Sequence, residues 1–213
     1  MIFLSRQRDN IMDFFSSVLS WLSGVDGDIL VAVNSHHTPF LDSFMWAVSD
    51  RWIWLPLYLM LALMVYSKSS ITRCFICILM IAVMIFITDQ LCASIIRPFV
   101  CRMRPSNPDN PLSLVLHLVN GYHGGRYGFP SCHAANTFAL AVFLSLYFKN
   151  RWLTIFIISW SLLVSYSRMY LGVHYPGDII GGFAIGTITA VLCYAGMVMI
   201  LKMLQKHEIT RSR

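Results

Sequence analysis

Three short polar segments interrupt an otherwise apolar chain, and each carries residues suited to phosphate chemistry. They read RPFVCRMRP from Arg97 to Pro105, PSCH from Pro130 to His133, and SRMYLGVHYPGD from Ser167 to Asp178. Arg97, Arg104 and Arg168 supply forked, permanently charged donors that match phosphate oxygens. Arg97 and Arg104 are seven residues apart, so a helical continuation would stack them on one face. Ser131 adds a hydroxyl. With Cys132 it opens a predicted helix whose free N–H groups and positive dipole end attract an anion. His133 and His174 can exchange protons or attack near neutral pH. Asp178 follows His174 by four residues across a Pro-Gly turn. From there it can hold one ring nitrogen, fix the tautomer and leave the other nitrogen nucleophilic.

This set meets the needs of phosphoryl transfer through a phospho-histidine. His174 would attack phosphorus, and Asp178 would orient it and stabilise the imidazolium. Arg97, Arg104, Arg168, Ser131 and the backbone N–H of Cys132 would carry the charge on the equatorial oxygens. His133 would protonate the leaving oxygen and then deprotonate the attacking water. Two further residues are supporting candidates. Asp89 is an acid inside an apolar run, where ionisable groups are costly and functional by default; a structural pair with Arg97 is the expectation. Arg126 lies in the Gly-rich stretch GYHGGRYG and is expected to contact a head group. His36, His37, His117, His123 and His207 are read as structural; neither His36 with His37 nor His117 with His123 has a carboxylate or Cys nearby at metal-ligand spacing. No metal and no cofactor is expected.

The elements that position these residues are membrane helices. Of 213 residues, 57% are hydrophobic and 12% charged, and mean hydropathy is +0.64. A soluble domain carries about a quarter charged residues. Five stretches approach the ~20 apolar residues that a span requires: one centred on 52–67 that borrows a turn from FMWAVS, then 74–96, the PSCH motif to 148, about 152–167, and 179–201. Trp46, Trp52, Trp54, Trp152 and Trp160 fall towards span ends, as an interfacial belt would. The expected architecture is all-α: an integral membrane bundle of about five helices, possibly a sixth, with interfacial N-terminal helices. The whole chain, 1–213, reads as one domain, with an interfacial segment over 1–50 and a chemistry-bearing region over 97–178.

Cys74 and Cys77 lie in an apolar helical pattern and are read as packing residues. The N-terminus lacks a small-residue cleavage site, so it is not read as a cleaved signal. Net charge is +6, without the basic stripe that nucleic-acid binding requires. With five spans, Lys68, Arg73, Lys149, Arg151, Lys202, Lys206, Arg211 and Arg213 share one side, which the positive-inside rule makes cytoplasmic. The three polar segments then face the opposite side.

The three segments together resemble the signature of the type 2 phosphatidic acid phosphatase and haloperoxidase superfamily: K-x6-R-P, P-S-G-H and S-R-x5-H-x3-D. Here it reads Arg97-x6-Arg104-Pro105, Pro130-Ser131-Cys132-His133 and Ser167-Arg168-x5-His174-x3-Asp178. Arg97 stands in place of Lys and keeps the charge. Cys132 stands in place of Gly and adds a side chain to the phosphate cradle. The resemblance implies a metal-free lipid phosphatase of the bacterial inner membrane with its site towards the periplasm. Among small bacterial members, the chain looks most like those acting on lipid A 4′-phosphate. Undecaprenyl diphosphate, phosphatidylglycerophosphate and phosphatidic acid are the alternative substrates. Two readings of other classes remain at this level: a vanadate-dependent oxidising enzyme, and a catalytically silent lipid-binding or transport protein. The expected partners are the lipid substrate and the bilayer; the oligomeric state is left open.

Overall fold

The computed structural model describes residues 23–211, with side chains described as far as Lys206. The regular elements among the described residues are all helical, and their only extended pairing is an isolated bridge between Met103 and Tyr127. A helix over residues 23–35 (α1) leads into α2 (Pro39–Ser49) and α3 (Leu55–Ser67). Then come α4 (Ile71–Gln90), a π-helical turn (Leu91–Ile96) and the short α5 (Arg97–Val100). After a long connection follow α6 (Cys132–Phe148), α7 (Arg151–Tyr170) and α8 (Pro176–Arg211). Residues 1–22 of the expected interfacial segment over 1–50 lie outside the described residues.

Local chemistry sets these boundaries. Thr38 caps α2, with Pro39 in its first turn. Ser70 caps α4, and the Asn150 side chain accepts from the N–H groups of Trp152 and Leu153 at the start of α7. Lys149 ends α6 in the left-handed conformation. Among the described residues, three helices are long and apolar enough to cross a membrane: Ile71–Val100, Arg151–Tyr170 and Pro176–Lys206. α6, at 17 residues, sits at the lower end of the spanning range. The first expected span is a broken one. Asp50 caps a 3-10 turn over Arg51–Trp54, so α2 and the stretch Arg51–Ser67 meet at a bend of 67°. The expected borrowed turn is therefore a separate helix.

α6 and α8 form the centre of the bundle. Their backbones touch because α8 has no side chain at two successive turns. A Cβ on Gly182 would lie 2.7 Å from the Ser131 carbonyl oxygen, and one on Gly186 would lie 2.5 Å from the Ala135 oxygen. Small residues let membrane helices approach this closely, which matters because lipid provides no hydrophobic drive between them. Around this pair, Leu61, Val65, Cys74, Cys77, Met84, Phe143 and Ile157 close one buried core from α3, α4, α6 and α7. Thr88 and Thr189 share a hydrogen bond of 2.9 Å between α4 and α8 inside it. The outer faces of the same helices present Phe75, Phe86, Ile188 and Leu192 to the surroundings. This is the inverted pattern of a protein solvated by lipid.

Candidate active site

All three sequence segments converge at one end of the bundle, where α5 and α7 end and α6 and α8 begin. The route differs from the expectation for Arg97 and Arg104. No helix continues between them: Cys101 turns the chain left-handed at φ 52°, and Arg104 returns on a loop. That loop is held by Arg104 N–H to the Arg126 carbonyl at 3.0 Å and Gly128 N–H to the Arg102 carbonyl at 2.8 Å. The π-helical turn before Arg97 advances the register of the helix. Its guanidinium reaches the start of α6 and donates to the Pro130 carbonyl at 3.1 Å and to Cys132 Sγ at 3.0 Å.

The Arg104 guanidinium is buried and donates to the carbonyls of Tyr127 at 3.1 Å and Val173 at 3.4 Å. Burial first, then the like charges of Arg168 and Arg97, pull its pKa down to about 10. Arg168, at the end of α7, is also buried; it donates to the Ser49 hydroxyl and lies over the Tyr122 ring at 5.8 Å. The Nε atoms of Arg97 and Arg168 are both buried without a partner. Crowded guanidiniums with unused donors form a site that is incomplete without an anion. At the start of α6, Ser131 is buried, and its Oγ accepts weakly from Ala134 N–H at 3.5 Å.

His174 and Asp178 are almost wholly buried. Nδ1 of His174 lies 3.3 Å from Asp178 Oδ2, which also accepts the Tyr175 N–H at 3.0 Å. This geometry leaves Nε2 as the free nitrogen. Burial first, then Arg104, Arg168 and Arg97, hold the His174 pKa well below its ordinary value of 6.5, so the ring is neutral and keeps its lone pair. Arg168, Arg104 and Arg51 also act on His133, so the two histidines share one cationic basin.

Three residues of this site escaped the sequence reading. Arg102 donates from Nη1 to Asp178 Oδ1 at 2.9 Å and from Nη2 to Asp26 Oδ2 at 2.5 Å, and stacks over the Tyr175 ring at 4.0 Å. Asp26, on α1, also accepts the Gly177 N–H at 2.7 Å. The N-terminal segment is thus tied directly to the His-Asp pair. Gly128 is the third. A Cβ there would lie 2.9 Å from Asp178 Oδ2 and 3.2 Å from Arg104 Cγ.

Two expectations are corrected. Asp89 forms no ion pair with Arg97, or with any cation among the described residues; Asn136 Nδ2 donates to it at 3.4 Å. Eight residues and a π turn rotate Asp89 and Arg97 off a common face. Trp160 is no belt residue: it is buried, edge-on to Trp54 and Tyr58. Arg126 is exposed, with its guanidinium over Tyr127 at 5.5 Å, apart from the buried arginines. The remaining described histidines are tied structurally: His117 to Asp42 at 2.9 Å, His37 stacked on His117, and His36 and His123 on backbone carbonyls.

A cavity of about 530 Å³ opens beside the site and runs down α6 from Cys132 and His133 to Leu144. Leu61, Ala62 and Val65 of α3 and Ile78, Ile81 and Ile85 of α4 form its apolar wall opposite α6.

An apolar helical bundle that presents a neutral histidine, a buried carboxylate and crowded arginines is built to handle a phosphate ester from within a membrane. Residues 78–201 match the family described as the PAP2 superfamily. The chain is 45% identical to a lipid A 4'-phosphatase of Bacteroides thetaiotaomicron, over 83% of this chain and 79% of that one. It is 34% identical to a lipid A 4'-phosphatase of Porphyromonas gingivalis, over 83% and 74%. Its fold is similar to the crystal structure of a transmembrane PAP2-type phosphatidylglycerolphosphate phosphatase from Bacillus subtilis. That match has a TM-score of 0.61 and 22% identity, and covers 84% of this chain and 87% of the other. The chain belongs to the PAP2 superfamily and is a multi-pass membrane phosphatase.

Proposed function

We propose that the protein removes the 4′-phosphate of lipid A at the periplasmic face of the bacterial inner membrane, through a phospho-histidine on His174. The observation that carries the chemistry is the neutral His174–Asp178 pair beside arginines with two unpartnered buried Nε atoms. The substrate rests on the two relatives named for lipid A. The orientation rests on Lys68, Arg73, Lys149, Arg151 and Lys202 lying at the opposite end of the bundle from the site.

In the first step His174 Nε2 attacks phosphorus, and the bond from phosphorus to the lipid oxygen breaks. His133 gives that oxygen its proton. Asp178 keeps the Nδ1 proton in place and balances the imidazolium charge. Arg97, Arg104, Arg168, the Ser131 hydroxyl and the first N–H groups of α6, including that of Cys132, hold the equatorial oxygens. In the second step His133 takes a proton from water, the water oxygen attacks phosphorus, and the P–N bond breaks to release phosphate and neutral His174. Residues 97–178 supply this chemistry within one membrane-embedded domain.

The test is phosphate release by the detergent-purified protein in EDTA. The panel is lipid A, undecaprenyl diphosphate, phosphatidic acid and phosphatidylglycerophosphate, with His174→Ala beside the wild type. Release from lipid A that the variant lacks supports the proposal. Preference for another lipid replaces the substrate and keeps the chemistry. Equal release by His174→Ala removes the mechanism.

A further inference from the structure

The cavity beside His133 carries polar groups that the bundle satisfies only in part. Asp89 of α4, Asn136 and Thr137 of α6 and Trp160 of α7 all line it, among Leu61, Ile81, Ile85 and Leu140. The Asp89 carboxylate has a weak bond from Asn136 at 3.4 Å and no cation partner among the described residues. Asn136 Oδ1 and Trp160 Nε1 are buried with no partner at all. Thr137 is satisfied differently: it donates to the His133 carbonyl and shares a bond of 2.9 Å with Ser161. That bond draws α6 and α7 together beside Asn136 and Trp160.

An acid and two orphaned polar atoms in an apolar, membrane-facing cavity are expensive unless a ligand completes them. A chain of pure hydrocarbon would leave all three unmet. A hydroxyl, or an amide with its N–H and C=O, would donate to Asp89 or Asn136 and accept from Trp160. The level is set by the helix: Asn136 lies three residues below His133, about 4.5 Å along α6. The matching group therefore sits on the lipid just beneath the phosphate. A second phosphate at the level of Asn136 would meet the Asp89 carboxylate, although Arg51 also lines the cavity.

Resting on the phosphatase reading above, we infer that Asp89, Asn136 and Trp160 form a specificity site for a neutral hydrogen-bonding group, a hydroxyl or an amide, on the lipid immediately below the scissile phosphate. The site favours acylated aminosugar phosphates over polyprenyl phosphates.

The test compares kcat/KM for two probes in the same detergent. One is an N-acylated glucosamine 4-phosphate lipid; the other is a polyprenyl monophosphate, which has no such group. Wild type is expected to favour the aminosugar lipid. Losing a hydrogen bond to a charged partner should lower that preference ratio roughly 10–100-fold in Asp89→Leu. Asp89→Asn keeps the shape and one acceptor, and should fall between. Trp160→Phe keeps the ring packing, removes only the N–H, and should move the ratio the same way. Ratios unchanged across the three variants, with both probes cleaved, overturn the specificity site and leave the phosphatase standing. Equal losses on both probes do the same, since they would mark a general structural role. Failure of wild type to cleave either probe overturns both readings together.

Discussion

Arg102 offers the sharpest test of how the His-Asp pair is held. Its guanidinium donates at 2.9 Å to a carboxylate that is fully buried, and no other Lys or Arg among the described residues lies within ion-pair distance of Asp178. Replacing Arg102 by Met keeps an apolar stem and removes both donors together with the guanidinium that stacks over Tyr175. The Asp178 carboxylate then retains the Tyr175 N–H and His174 only. A hydrogen bond to a charged group contributes about 1.5–3 kcal/mol, so activity should fall roughly 10–150-fold. Arg102 acts through Asp178 and does not touch the phosphate, so the loss should appear in kcat with KM nearly unchanged. Arg102→Lys should recover only part, because one ammonium cannot fork between Asp178 and Asp26. Asp26→Asn keeps an acceptor for the Gly177 N–H and should cost less than Arg102→Met. The assay is steady-state phosphate release from detergent micelles, with thermal unfolding run in parallel to show that each variant is folded. A folded Arg102→Met enzyme within about threefold of wild-type kcat would mean that Arg102 does not position Asp178 for the reaction.

Other consequences follow from the same geometry. Gly128→Ala forces a methyl to 2.9 Å from Asp178 Oδ2. It should cost roughly 100-fold in kcat with little change in thermal stability, since small misplacements of catalytic groups are that costly. Gly186→Ala meets the backbone oxygen of Ala135 at 2.5 Å, which cannot swing away. It should destabilise by about 1–3 kcal/mol, a drop in Tm of roughly 2–10 °C in a differential-scanning measurement. The His174 pKa lies below 6.5 when folded. The neutral nucleophile therefore persists as pH falls, and the acid limb of kcat/KM should lie below 6.5; a midpoint at or above that value contradicts the assignment. The sign for stability is the reverse: the unfolded chain takes up the proton first, so folding stability should decline as pH drops through about 6.5.

The helices and the signature were legible because both are short-range properties. Apolar runs mark spans through length alone, and motif spacing carries His133, His174 and Asp178 to one end once alternate helices run antiparallel. What escaped depends on contacts distant in sequence. Arg102 meets Asp26 and Asp178, each 76 residues away, from a position that the signature leaves unspecified. Asp89 was paired in expectation with Arg97, its nearest cation along the helix. Its actual partner, Asn136, is 47 residues away on α6. The bend between α2 and α3 also lay beyond hydropathy, which sees one apolar stretch where Asp50 and a 3-10 turn make two helices. Gly128 carries no periodic signal; only the nearness of Asp178 shows why a side chain is excluded.

Whether His174 carries the phosphoryl group is read from His133→Ala enzyme with an aryl phosphate, whose leaving group departs without a proton. Attack by His174 then proceeds while the water step, lacking its base, stalls. Rapid quenching in alkaline detergent should recover about one phosphate per active enzyme, acid-labile and mapped to the peptide containing His174, with a burst of phenol to match. Phosphate recovered on another residue, or undiminished turnover by His174→Ala, would contradict that role for His174.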